Sequence, residues 1–418
     1  MSATRPPLTL RIAASTAIIF ALLLAGMLLH ARAASAATSG PNAFSSEASL
    51  LKKRVQQIGL QTPAGRYPIG TGLDGQLRFA EGWTSGFWAG TLWRVADLNR
   101  SDASLDAALE ATVDHYGFEQ TQLHDLGFMY GESSVAAHTR MCSSANAIPE
   151  CKKLRASGML ATYTLVKLAR TTGQGIIPLG AKTCSDCKNG GAETIVDSMM
   201  NLPLLYWATK TTGNKKYRNL AFKHANWVAA NLVRKDGSTY QSASYPRRAK
   251  TPELEKHTHQ GLRDSSTWSR GQAWSIYGFA DAGREFRSRA LLRVAERNAN
   301  YVAAQLPTDG LPPWDYDAPA GAPRDVSAGV ITAAGLFHLA NACAAVREGC
   351  VDAKRWSALA RKILKGSLAR IRTTAPVGYL GSQVYRLGGK DSWDDDAELV
   401  LGLNYALEAI KLSRAPQK

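Results

Sequence analysis

With 418 residues, of which 45% are hydrophobic and 20% charged, the chain can bury a large core and is too apolar to be an intrinsically disordered protein. Its formal net charge of +16 favours anionic partners through long-range steering. The basic residues are dispersed, and even the local group Lys210, Lys215, Lys216 and Arg218 builds no arm or recognition-helix motif, so no nucleic-acid partner is expected.

The chain opens on a targeting segment. Arg5 and Arg11 form a basic region, Ile12 to Leu29 is an apolar run, and Ala31-Arg-Ala33 or Ala34-Ser-Ala36 offers a small-residue cleavage site. Residues 1–36 therefore read as a signal peptide; an uncleaved anchor is the alternative, since the run is close to spanning length. The expectation is a periplasmic or secreted protein with no stable membrane association after cleavage. Its six cysteines fall into local pairs, Cys142 with Cys151, Cys184 with Cys187 and Cys343 with Cys350, each able to close a short loop in an oxidising compartment. A zinc site at Cys184-Ser-Asp-Cys187 is the weaker reading, because no second CxxC or His pair accompanies it.

From residue 45 to 415 the pattern reads as one all-α domain. Ser45 to Ile58 is a first helix, and Gly65 to Gly75 is a Gly-rich loop. Trp83 to Leu98 mixes small and aromatic residues at helical spacing, as close-packed helices require. Leu105 to Tyr116, Ser134 to His138, Lys152 to Ala169, Lys216 to Leu232, Phe286 to Leu306, Val330 to Cys343 and Arg355 to Ile371 follow as helices, with Leu154, Met159, Leu160, Tyr163, Leu165 and Leu168 of the third spaced for a buried face. Two of them repeat: His224-Ala-Asn-Trp-Val-Ala-Ala-Asn-Leu232 matches Asn298-Ala-Asn-Tyr-Val-Ala-Ala-Gln-Leu306, and each precedes an Asp-Gly turn. Repeated helical hairpins stack into an open solenoid or a closed ring. Long loops rich in Trp, Tyr, His and Asp suit a toroid whose loops converge on one pocket.

Asp197 stands at the mouth of the apolar stretch Ile195 to Tyr206. Alone it reads as a helix cap, with Ser198 to Met200 as the first turn. Held at the rim of a core, the same carboxylate would be partly desolvated and able to give and take a proton. Asp125, in His124-Asp-Leu-Gly-Phe128, is a second carboxylate, with Gly127 suggesting a tight turn. If the two acids share a cavity they cannot both ionise easily. The densest polar patch, His257 to Trp274, supplies His259, Gln260, Arg270 and Trp274; Trp stacks on a sugar face, and Arg and Gln hydrogen-bond a carboxylate. Core packing is the alternative for Trp274. His257 and His259 lack a third metal ligand at a recognisable spacing, so no metal or other cofactor is expected.

The segments Trp83 to Trp88, His124 to Phe128, Ile195 to Leu205, Thr258 to Trp274 and Pro313 to Pro319 with Arg324 to Ala328 resemble those of the unsaturated glucuronyl hydrolases, glycoside hydrolase family 88, in the family's order. The resemblance implies an (α/α)6 barrel and an enzyme that hydrates the C4=C5 enol ether of a 4,5-unsaturated uronic acid at the non-reducing end of a lyase-made oligosaccharide. It implies Asp197 as the general acid and base, Asp125 holding the uronate hydroxyls, and Trp83, Gln241, His259, Gln260, Arg270 and Trp274 around the sugar. The chain departs from the family where Gln241 follows Ser238-Thr-Tyr240 in place of the usual His, before Asp197 at Lys182 to Gly190, and at Trp393 to Glu408. The unsaturated rhamnogalacturonyl hydrolases are the nearest alternative, although they tend to carry Arg-Gly-Asn-Gly-Trp where this chain has Arg270-Gly-Gln-Ala-Trp274. An (α/α)6 lyase or inverting glycosidase acting on a polyanion, and a non-catalytic periplasmic protein that binds acidic glycans, are the other readings. Residue types alone leave the oligomeric state open.

Overall fold

The computed structural model describes residues 40–99, 101–142, 148–180, 191–247, 253–346, 352–385 and 396–415. The signal segment, Cys184, Cys187, Cys350, Lys182 to Gly190 and the start of the Trp393 stretch lie outside them. Cys142 and Cys151 form a disulfide, and Cys343 is also disulfide-bonded.

The helices are α1 Ser45–Gln61, α2 Gly86–Asn99, α3 Asp102–Val113, α4 Leu126–Gly131, α5 Ser134–Met141, α6 Cys151–Arg170, a 3-10 helix Val196–Asn201 running into α7 Leu202–Thr212, α8 Lys215–Asn231, α9 Ser269–Phe286, α10 Arg289–Gln305, α11 Val326–Ala345, α12 Ala353–Leu368 and α13 Val400–Arg414. They form two concentric layers. In the inner ring α2 touches α4, α4 touches the 3-10 helix, and α9, α11 and α13 follow in turn until α13 returns to α2. Outside it α3, α6, α8, α10, α12 and α1 each pack on an inner partner. The closed ring is an (α/α)6 barrel, and the open solenoid is excluded.

Burial follows from this layering. The outer helices bury one stripe: α12 turns Trp356, Ala360, Ile363, Leu364 and Ser367 inward, the spacing of a single helical face. Inner helices are buried almost all round, and α9 and α11 are core along nearly their whole length. Helix α11 is apolar and long enough to cross a membrane, but 78% of its apolar window is buried inside the protein.

The sequence repeat is a packing repeat. His224 on α8 and Asn298 on α10 occupy equivalent buried positions, the first bonded to Ser198 and to the Ile177 N–H, the second to Ser275 and to the Gly237 carbonyl. Each Asp-Gly turn then abuts the next outer helix. Gly237 and Gly310 have φ of 90° and 78°, a left-handed backbone that favours glycine.

The domain is all-α in class, and its loops add a little sheet. Two small antiparallel sheets lie among the loops: β2 (Leu77–Phe79), β1 (Pro68–Thr71) and β6 (Glu398–Leu399) make one, and β3 (Ala192–Ile195), β4 (Ser242–Tyr245) and β5 (Glu255–His257) the other. These strands are only 2 to 4 residues long, too short to print an alternating pattern on the sequence. The first sheet sits at the seam of the chain, where the Arg54 guanidinium donates two bonds of 2.8 and 2.7 Å to buried Glu398.

Outer helices α3, α8, α10 and α12 start on side-chain caps, Ser101, Asn214, Ser288 and Asp352. Inner segments α4, α9, α13 and the 3-10 helix start without one. Two of their first N–H groups are met instead by other segments, that of Gly127 by Asn201 and that of Val196 by the Gln241 carbonyl.

Candidate active site

Loops that enter the inner helices build one cavity of about 300 Å³, lined by Trp83, His124, Asp125, Leu179, Ile195, Asp197, Gln241, His259, Gln260 and Tyr385. A larger groove of about 420 Å³ runs along α6 from Gln120 to Thr171, but no acid or histidine lines it. The smaller cavity brings two aspartates and two histidines together.

Asp197 is not a helix cap. It lies inside the 3-10 helix, whose N-cap is Ile195. Its carboxylate is buried, and Oδ1 has no hydrogen-bond partner. Burial pushes its pKa up to about 6; His124 and Arg270 pull the other way, and the charge of Asp125 adds to the rise. Asp125 immediately precedes α4 and likewise caps nothing. Burial raises it to about 7.

Between these acids lies His124, fully buried and lowered to about 4 by that burial, so the imidazole is neutral at pH 7. Its Nε2 is 3.2 Å from Asp125 Oδ1, outside good hydrogen-bond alignment. Asn201 ties the elements together, accepting from the Gly127 N–H at 2.7 Å and lying 3.4 Å from His124 Nδ1. Gly127 is not the tight turn its motif suggests: it is helical, and its missing side chain lets α4 meet the 3-10 helix.

Strands β3, β4 and β5 fix the opposite wall. Ile195 pairs with Ser242, and Ser242 with His257, which places Gln241 and His259 beside Asp197. The Gln241 carbonyl accepts from Val196 N–H at 2.8 Å. Gln241 Oε1 accepts from Thr258 Oγ1, His259 N and Gln260 N at 2.7, 2.8 and 3.0 Å. This amide is thus largely occupied in shaping the His259 loop. Gln260 continues outward, donating to the Tyr385 carbonyl at 3.2 Å.

Trp83 stacks on Tyr385, with centroids 6.2 Å apart and planes 17° from parallel, and its indole N–H donates to the tyrosine hydroxyl at 3.1 Å. Together they form an aromatic rim.

Arg270 and Trp274 do not reach this cavity. They share a face of α9, but that face turns into the barrel interior. The buried Arg270 guanidinium donates to Asp325, Ser327, the Val384 carbonyl and the Tyr385 carbonyl at 3.1, 3.2, 2.6 and 2.9 Å. Its two terminal nitrogens are occupied by protein acceptors, and it acts on the site by holding the Tyr385 segment and by its charge. Trp274 is fully buried and packs on Phe128 and Tyr405, with centroids 5.0 and 5.2 Å away.

Sequence reading also missed residues. Tyr385 follows Arg324 by a long connection, and no local motif marks it. Glu193 had a signal: it is an acid inside the otherwise core-forming strand β3, Ala192-Glu-Thr-Ile195.

No family model matches the chain. It is 32% identical to the unsaturated glucuronyl hydrolase of Bacillus sp. (strain GL1) over 338 residues, 78% of this chain and 85% of that protein. It is 29% identical to the unsaturated chondroitin disaccharide hydrolase of Streptococcus agalactiae serotype III (strain NEM316) over 263 residues, 62% of this chain and 63% of that one. Among solved structures, the unsaturated glucuronyl hydrolase from Bacillus sp. GL1 superposes with a TM-score of 0.75 at 28% identity, covering 88% of this chain and 94% of the other. A structure described as an unsaturated glucuronyl hydrolase specific for heparin gives 0.76 at 25% identity, over 90% and 97% of the two chains. The chain belongs to the unsaturated glucuronyl hydrolase family.

Proposed function

We propose that the protein releases a 4,5-unsaturated uronic acid from the non-reducing end of lyase-generated acidic oligosaccharides, with Asp197 as general acid and base. The observation that carries this assignment is a buried carboxylate with an unbonded Oδ1, facing a cavity that it shares with a second buried acid.

Protonated Asp197 gives its proton to C4 of the enol ether, and positive charge develops at C5 and the ring oxygen. Water adds its oxygen to C5 and returns a proton to the Asp197 carboxylate. The resulting C5 hemiketal opens by breaking the C5–ring oxygen bond, which leaves a C5 ketone and a hydroxyl on C1. That C1 hemiacetal expels the aglycone sugar as its alcohol and becomes an aldehyde. One group serves both proton transfers, so the pKa near 6 is well placed. The spacing rule for paired glycosidase carboxylates does not govern this reaction, because no displacement occurs at the anomeric carbon.

Asp125 holds the uronate hydroxyls and raises Asp197. Trp83 and Tyr385 stack on the sugar, while His259 and Gln260 meet its carboxylate. The apolar run and small-residue cleavage site in residues 1–36 support export to the periplasm or medium.

The test is ultraviolet absorbance of unsaturated disaccharides from chondroitin, hyaluronan, heparin, gellan and xanthan. Hydration removes the absorbing double bond, so at least one signal falls. A rise on intact polymer would identify a lyase and overturn the proposal, as would tight binding with no turnover on every disaccharide.

A further inference from the structure

A third buried carboxylate stands behind the two aspartates. Glu193 lies on β3 shortly before Asp197, with its side chain 7% exposed. Its Oε1 is 2.6 Å from His259 Nε2, and the Ser242 hydroxyl donates to the same oxygen. Its backbone carbonyl accepts from the Leu179 N–H at 2.6 Å, which fixes the strand against another wall of the cavity. The His259 side chain, by contrast, is 44% exposed and lines the pocket, while its backbone N–H is held by Gln241. One edge of the imidazole is thus clamped to a buried anion, and the ring lines the cavity.

We propose that Glu193 is a positioning residue that keeps His259 charged and turned toward the cavity, where the imidazolium receives the carboxylate of the uronic acid; this rests on the function proposed above. A carboxylate in hydrogen-bond contact stabilises the charged form of an imidazole, and a buried one is poorly screened by solvent. Burial, the largest influence on Glu193, raises its pKa, yet the His259 hydrogen bond and charge, with Ser242 and His257, bring it below the ordinary value. Among the described residues, the other groups facing this pair are His124, which feels the Glu193 charge from the α4 side, Tyr245 on β4, which feels it too, Asp125 and Asp197 across the cavity, and Glu255, 3.9 Å from His257 on β5.

The arrangement separates two tasks. Asp197 moves the proton at C4 and C5, whereas Glu193 touches no reacting atom and acts through affinity for the substrate anion. Loss of its charge should therefore appear in KM and in the pH at which KM rises, with little change in kcat.

The experiment uses the full chain, an unsaturated disaccharide and the methyl ester of the same disaccharide. Glu193→Gln keeps the size of the side chain and removes its charge. With the free acid at pH 7, KM rises on the order of tenfold, the scale of a weakened charge-assisted contact, kcat stays within about twofold, and the KM increase at alkaline pH begins at lower pH. With the ester, KM is the same for variant and wild type. Glu193→Asp retains the charge and restores part of the affinity, which keeps the test open if the amide variant folds poorly. Equal losses on acid and ester, or an unchanged KM and pH profile for the acid, overturn the role of Glu193. If wild type consumes none of the disaccharides, the proposed function itself fails and this role falls with it.

Discussion

Gly127 and Asn201 meet so closely that a Cβ on the glycine would stand 2.4 Å from Asn201 Cα and 2.5 Å from the Met200 carbonyl. This contact joins α4 to the 3-10 helix, and each element carries one of the two site aspartates at its start. Gly127→Ala forces the elements apart. Overpacking of this kind costs about 1–3 kcal/mol, and a shift of about 1 Å at a catalytic group lowers turnover on the order of a hundredfold. Urea unfolding and steady-state kinetics on the variant measure both effects; a stable variant with wild-type kcat would break the link between this contact and catalysis.

Asp197→Asn removes the acid at nearly constant size, so turnover falls to background while the fold persists. The same change has a consequence for stability. Asp197 rises from the ordinary 3.8 to about 6 on folding, so the folded state binds its proton more tightly than the unfolded chain does. Between those values the unfolded chain ionises first, and stability falls as pH rises; above about 6 the full penalty is present, on the order of 2–3 kcal/mol. The asparagine variant escapes it. Its Tm relative to wild type is therefore higher at pH 8 than at pH 4, as calorimetry at the two pH values can check.

The first chemical step needs protonated Asp197. Accordingly kcat/KM falls as pH rises through about 6. Burial sets most of that elevation, and Asp125, itself raised to about 7, is largely protonated where Asp197 titrates, so Asp125→Asn moves the alkaline limb to lower pH only slightly. A large downward shift would show that Asp125 is ionised at that pH and governs the acid.

Arg270→Lys tests the revised role of the arginine. A lysine keeps the charge but cannot supply the fork that reaches Asp325 and both the Val384 and Tyr385 carbonyls. The Tyr385 segment loosens and Trp83 loses its stacking partner. KM rises about tenfold or more while the pH limb set by Asp197 stays close to wild type; a large shift of that limb would instead make the Arg270 charge the dominant effect.

His224 is buried and lowered to about 3 by that burial. Its Nδ1 accepts from Ile177 N–H at 3.1 Å, and Nε2 meets Ser198 Oγ at 2.8 Å. His224→Ala leaves the Ile177 N–H buried without a partner, at a cost of about 1–3 kcal/mol, while Ser198 Oγ keeps its bond to the Ile195 carbonyl. His224→Asn, which places here the residue used at the equivalent position of α10, is milder. Chemical denaturation of the two variants gives the order; equal losses would show that the repeat is sequence likeness without shared packing.

How much of this was legible beforehand depended on range. Helical hairpins could be anticipated because amphipathic periodicity and the paired Asp-Gly turns are local signals carried by many residues, whereas the sixfold closed barrel was what the family resemblance implied. Asp125, Asp197, His259 and Gln260 stood out by residue type, and the family resemblance gathered them with Trp83 and Gln241. Direction was not legible. Arg270 and Trp274 share a helix face, but only the crossing of α9 with α11 and α13 decides that this face looks into the core. Tyr385 was invisible because Arg270 recruits it through backbone carbonyls, which impose no side-chain pattern. Glu193 was visible only as an acid in an apolar strand, a signal without a partner until β3 and the His259 loop came together.

The most direct measurement is the isotope pattern of the product formed in deuterium oxide from an unsaturated disaccharide. Proton delivery by Asp197 to C4 puts solvent deuterium on that carbon as the double bond is lost, and Asp197→Asn yields none of this product. A released uronic acid that keeps its C4=C5 double bond, with solvent oxygen at C1, would contradict the mechanism.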